Sequence, residues 1–177
     1  AVRESKERVQ AAVKNSGFRF PIKFITVNLA PADVKKEGAA FDLPIAIGIL
    51  AAAGQVDSTR LDDYVILGEL SLDGSLRPIN GILPIAVQVA LQKIKGIIVP
   101  AENAREAAMA HNLNVIPVEN LNEAVNFLNG DDTIKPFKVD LDEIFSSKRN
   151  YHIDFQDVKG QDHVKRALEV AAAGGHN

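Results

Sequence analysis

Apolar positions recur along this chain in two alternating patterns: stripes at three- and four-residue intervals, and short unbroken β-branched runs. "AVRESKERVQAAVKNSG" spaces Val2, Val9, Ala12 and Val13 as one face of a helix, with Gly17 as its stop. This helix starts uncapped, so the natural chain is expected to begin earlier. "IKFITVNLAP" is β-branched up to Pro31 and predicts a strand. "FDLPIAIGILAAAG" predicts a buried helix, with Asp42 as its cap, Pro44 in the first turn and Gly54 as its end. "YVILGELSLDGSLRPI" reads as two strands around a turn at Asp73-Gly74. Then come a helix with Pro84 in its first turn ("ILPIAVQVALQKIKG"), a strand ("GIIVP"), a helix ("AENAREAAMAHN"), a strand ("NVIPV") and a helix ("NLNEAVNFLNG"). This alternation predicts an α/β (α+β) domain with parallel pairing. From Gly130 to Asp157 periodicity dissolves into a connector. After it Val164, Ala167, Leu168, Ala171 and Ala172 make one helical stripe that needs a partner to cover it. The resulting division is 1–129 for the α/β domain, 130–156 for a linker and 157–177 for the start of another domain.

Composition narrows the classes. Of 177 residues 46% are hydrophobic but only 6% aromatic, so the core is aliphatic. The net charge of −3 argues against this chain by itself gripping nucleic acid through phosphate neutralisation. The charge is uneven. Residues 1–23 hold Arg3, Lys6, Arg8, Lys14, Arg19 and Lys23 against Glu4 and Glu7, while residues 100–145 are acidic. Solvated surface accounts for both, and a partner face is the alternative. Without cysteine there is no disulfide or thiolate metal site. No run of eighteen apolar residues or signal pattern occurs, so the expectation is a cytoplasmic protein with no membrane partner.

Candidate chemistry is sparse. His111, His152, His163 and His176 are scattered without ligand spacing and read as surface or capping residues. Asp131, Asp132, Asp140, Asp142 and Glu143 read as an acidic connector rather than a cation site, and Glu69 and Asp73 as hairpin flanks rather than a hydrolytic pair. No metal site is assigned. Arg3, Lys6 and Arg8 form the basic cluster that could touch DNA.

Two stretches carry a resemblance. "KKEGAAFDLPIAIGIL" and "GELSLDGSLRPINGILPIAVQVALQKIKGIIVPAENAREA" resemble the proteolytic domain of Lon-type proteases across residues 20–128. The markers are Lys36-Glu37-Gly38, Gly68-Glu69, Gly74, Pro78-Ile79-Asn80-Gly81 and Val99-Pro100. Lon-type enzymes use a serine activated by a lysine. The resemblance places Ala40 at the serine position and Leu83 at the lysine position. A methyl group cannot attack a carbonyl and leucine cannot accept a proton, and loss of the serine alone costs about 10⁶ in rate. Ser58, Ser71 and Ser75 have no base at a motif position. The implied fold is Lon-protease-like (ribosomal-protein-domain-2-like), with no catalytic residue.

Joined to "VKGQDHVKRALEVAAAGGHN", the whole chain resembles the YifB/ComM family of magnesium-chelatase-like AAA+ ATPases. The resemblance implies that "AAAGGHN" leads toward a phosphate loop, and that the last helix opens an AAA+ module. It gives Val158, Lys159, Gly160 and Gln161 a role in wrapping adenine, in an incomplete site; from the residues alone, Gly-Gln before a helix reads as an ordinary helix start. For the full-length protein the resemblance implies ATP and Mg²⁺ as cofactors, homo-hexamers, and action on DNA such as branch migration in natural transformation. None of these cofactors is expected on this chain. Two alternatives remain: an ATPase subunit for magnesium insertion into porphyrin, and retained proteolysis. RadA-type recombination proteins also combine these parts, in the opposite order.

Overall fold

The computed structural model describes residues 2–30, 38–92, 94–139 and 157–175. Side chains are described from Ser5 onward. Lys36, Glu37, Asp140, Asp142, Glu143, His152 and His176 lie outside the described residues, as do the side chains of Val2 and Arg3. The chain forms two compact units, residues 1–139 and 140–177.

The first unit is organised by a parallel sheet of β1 (Tyr64–Ile66), β4 (Gly96–Pro100) and β5 (Asn114–Val118), in the order β1-β4-β5. β4 is central and buried along its whole length. A strand covered on both faces should be continuously apolar, and Ile97-Ile98-Val99 is. Successive side chains leave opposite faces, so the strands divide their residues between two cores. Ile98, Ile116 and Val118 enter a core with α1 (Val2–Asn15), α2 (Asp42–Ala52) and α5 (Leu121–Leu128). Ile97, Val99 and Val115 enter a second core with α3 (Ile82–Leu91) and α4 (Ala104–Ala107). The result is a three-layer α/β unit.

Pro117 sits within β5, which lies at the sheet's edge, where a missing N–H is tolerated. Gly96 pairs with Asn114 in the register, and a Cβ there would lie 2.4 Å from the Asn114 carbonyl oxygen and 2.8 Å from the Tyr64 ring. Only glycine fits.

The stretch expected as two strands is three. β1 belongs to the parallel sheet; after Leu67-Gly68 the chain makes a separate hairpin of β2 (Glu69–Leu70) and β3 (Leu76–Arg77). The Asp73-Gly74 turn is where the dipeptide places it. One Asp73 carboxylate oxygen accepts hydrogen bonds from the Ser75 N–H at 3.0 Å and hydroxyl at 2.7 Å. The turn is wedged between two helices: the Leu121 N–H, at the start of α5, donates to the Gly74 carbonyl. On its other side stands Ser16, just past the end of α1.

Three expectations are corrected. Residues 21–30 form no strand; Ile22 and Phe24 are fully exposed, and no described strand pairs with this stretch. β-branched composition supplies propensity, but a strand also needs a partner's N–H and C=O groups. Pro31, its expected end, lies outside the described residues. Asp42 does not cap α2. It is the first helical residue, and its buried carboxylate pairs with Arg8 of α1 through both oxygens (2.8 and 3.2 Å). The expected helix at 101–112 shrinks to a 3₁₀ turn (Ala101–Asn103) followed by α4, because the chain turns back to enter β5, with Asn112 left-handed at φ 61°.

In the second unit, α6 (Asp162–Gly174) is amphipathic, with Val164, Leu168 and Val170 exposed. Among the described residues, no helix is long and apolar enough to cross a membrane.

Candidate functional site

The turn at Gly38–Phe41 feeds the N-terminus of α2 and is stitched to the end of the parallel strand. The Gly68 N–H donates to the Ala40 carbonyl at 2.9 Å, and the Leu43 N–H donates to the Gly68 carbonyl at 3.0 Å. Gly68 thus ties the Ala40 carbonyl and the first turn of α2 to the end of the strand. The Ala40 methyl and Phe41 pack against the second core, which includes Ile79 and Ile82.

The second turn, Pro78–Gly81, leads into α3. It is held from α4 and the 3₁₀ turn before it. Buried Asn103 clamps Ile79, accepting from its N–H and donating to its carbonyl, both at 2.9 Å. A side-chain amide here replaces a strand's worth of pairing for one residue. Glu106 accepts from the Leu83 N–H at 3.1 Å. Its carboxylate therefore satisfies one of the free donors at the start of α3, where negative charge is favoured. The Leu83 side chain is half-buried.

Both turns are thus built with backbone precision and carry hydrocarbon. Hydroxyls occur elsewhere, and those of Ser71 and Ser75 are committed to the hairpin. Ser71 Oγ accepts from Arg77 Nε at 2.8 Å across the hairpin, Ser75 donates to Asp73, and Ser58 lies exposed in a 3₁₀ turn (Ser58–Asp63). Asp73 is held below its ordinary 3.8 by the Ser75 hydroxyl and N–H, with a smaller contribution from Arg77. It is an ionised turn residue. Glu69, in β2, faces Arg77 in the hairpin register.

The remaining candidates separate. Arg8 is committed to Asp42, which removes it from the basic cluster expected on α1, whereas Lys6 is exposed. His111 and His163 are exposed. Asp132 pairs with Arg60 at 3.0 Å, and Asp131 accepts from Thr133. Both carboxyls are held below the ordinary value, by the Arg60 and Thr133 hydrogen bonds respectively. No group of three potential metal ligands occurs among the described residues.

In the second unit Val158, Lys159, Gly160 and Gln161 are all exposed. Gly160 and Gln161 are both left-handed (φ 73° and 56°), which turns the chain sharply into α6. Lys165 Nζ reaches back to the Val158 carbonyl, and the Gln161 carbonyl accepts the first helical bonds, from Val164 and Lys165. A left-handed non-glycine residue costs about 1 kcal/mol or more and is more often found at ligand-binding turns. Sequence reasoning missed Asn103 and Glu106, and took Gly68 as a marker of the resemblance without its bonding role. Nothing local marks these roles, since each acts on a partner more than twenty positions away or on a turn.

The family model described as subunit ChlI of Mg-chelatase matches residues 1–103, and the one described as magnesium chelatase, subunit ChlI, matches residues 154–177. Competence protein ComM of Haemophilus influenzae is 43% identical over 99% of this chain and 35% of its own length. A protein named YifB from Escherichia coli is 40% identical over 99% of this chain and 34% of its own. Lon protease 2 of Bacillus subtilis is 24% identical over 78% of the chain and 25% of its own length, a distant similarity. The chain spans about a third of the length of its ComM and YifB relatives. On these matches the chain belongs to the family of Mg-chelatase subunit ChlI, and corresponds to a region of its ComM- and YifB-like members.

Proposed function

We propose that the first unit is a non-catalytic Lon-like module, and that residues 157–177 open the AAA+ ATPase domain of a longer protein. In the full-length protein, ATP with Mg²⁺ drives a homo-hexamer that acts on DNA, by branch migration or helicase activity in transformation or recombination. The observation that carries the first half is chemical. At the two positions a Lon-type enzyme would give to its nucleophile and base stand the Ala40 methyl and the Leu83 isobutyl group, with the Ala40 carbonyl held by Gly68 and the Leu83 N–H by Glu106. The name of the Haemophilus relative, a competence protein, supports the DNA reading. Val158 to Gln161 would line the adenine with backbone groups, which Gly160 leaves open to close approach. In that setting the first unit contributes binding and assembly rather than a chemical step.

The test is ATP hydrolysis by the full-length protein with and without single-stranded DNA at low salt. Stimulation is expected; hexamers indifferent to DNA would overturn the DNA reading. A second reading, magnesium insertion into porphyrin, is favoured by the description of the matching family models. A porphyrin metallation assay on the same protein separates the two, and no metallation is expected.

A further inference from the structure

Lys6, Gln10 and Lys14 are spaced by four along α1, so they stand in one row on that helix. Beside that row the chain from Phe20 to Val27 runs without regular structure, Phe24 fully exposed. Two adjoining grooves lie between them. One is lined by Gln10, Lys14, Phe20, Ile22, Lys23 and Phe24 among others. The other, about 680 Å³, brings Lys6 to the same Phe20, Lys23 and Phe24, over a floor that includes Ile45 and Ile49 of α2. Among the described residues, the lining of the two includes three lysines and no carboxylate. Arg8 lies nearby in sequence, but its charge is answered by Asp42. Glu7, exposed on α1, lines neither groove.

We propose that this groove binds single-stranded nucleic acid, with phosphates on Lys6, Lys14 and Lys23 and unpaired bases against Phe20 and Phe24. The inference rests on the DNA reading above and names the surface. Lysines lining the grooves select a polyanion, and the exposed Phe24 ring, with the half-buried Phe20 beside it, selects one whose bases are free to stack. A duplex offers the phosphates but not the base faces. A purely apolar ligand would leave three ammonium groups unanswered.

The test is binding of a fluorescent oligothymidylate over a salt series, to this chain and to the full-length protein. The triple variant Lys6→Glu, Lys14→Glu, Lys23→Glu should weaken binding and flatten the plot of log affinity against log salt by about 2, from three phosphate contacts at ~0.7 each. Phe24→Ala should weaken binding about five- to hundredfold, the range of one lost base stack. Lys138→Glu, an exposed lysine away from the grooves, should change neither. The proposal falls if the triple variant keeps the parent's affinity and salt slope. It falls too if Phe24→Ala is silent, or if a duplex binds as well as the single strand. If the full-length ATPase is still stimulated by DNA after the triple substitution, the groove is wrong and the DNA function stands; if DNA neither binds nor stimulates, both fail.

Discussion

Gly74 occupies the tightest point of the hairpin turn, and replacing it with alanine should act through two separable effects. Its φ of +89° is unfavourable for any residue with a Cβ, at a cost of about 1–2 kcal/mol. The added Cβ would also lie 2.2 Å from Ser16 Oγ, a distance no non-bonded pair sustains, while the nearest backbone atom, the Ala12 carbonyl oxygen, is at a comfortable 3.5 Å. Only the serine hydroxyl must move, and rotating or displacing it adds about 1 kcal/mol. Gly74→Ala should therefore cost about 2–3 kcal/mol in the parent background. In a Ser16→Ala background the hydroxyl is gone, the next contact is the Ser16 Cβ at 3.5 Å, and the cost should fall to the backbone part alone, about 1–2 kcal/mol. The coupling of about 1 kcal/mol exceeds the scatter of independent sites. Urea unfolding followed by circular dichroism on the four proteins measures it, provided the m-values agree. Additive losses, or a free substitution at Gly74, would refute the placement of the turn against the end of α1.

Other expectations follow from single contacts. Arg8→Ala strips the fully buried Asp42 carboxylate of its bidentate partner; with Arg8 itself about a quarter exposed, the loss should be about 2–3 kcal/mol by urea unfolding, and Arg8→Met with Asp42→Leu should recover most of it. Asn103→Leu leaves the Ile79 N–H and carbonyl unanswered in the core, and should cost about 2–4 kcal/mol in the same measurement. Asp73 has a carboxyl pKa below 3.8 in the folded state, so the unfolded chain binds its proton first as pH falls. Its contribution is present above that value and lost as pH drops through the lower folded value. The gap in urea midpoint between the parent and Asp73→Asn should thus be widest above about pH 4 and close toward strong acid; a gap that widens in acid would reverse the assignment.

Much of this architecture is legible in the sequence, and the parts that are not share a cause. α1, α2, α3, α5, α6, β4 and β5 occur where their periodicity, prolines and glycines place them, because those signals act within a few residues. The Asp73-Gly74 turn is equally local. What fails is long-range. The stretch at 21–30 has strand-forming residues but no described partner strand. Asp42 has the residue type of a cap but finds a guanidinium 34 positions earlier. The hairpin is cut from β1 at Gly68, whose N–H and carbonyl are taken by the Ala40 turn and the first turn of α2. The candidate site divides the same way. Ala40 and Leu83 are readable only through resemblance to Lon-type proteases, since alanine and leucine advertise nothing. Asn103 and Glu106, which hold the second turn, carry no sequence signal for partners 24 and 23 positions away.

The central claim is that a hydrolase-like scaffold carries hydrocarbon where its reactive pair would stand. Incubation with a serine-directed fluorophosphonate, followed by intact-protein mass spectrometry, tests it most directly. The account predicts an unmodified chain after exhaustive treatment, because Ala40 and Leu83 offer neither a nucleophile nor a base. A stoichiometric covalent adduct abolished by substitution of any one serine would contradict it.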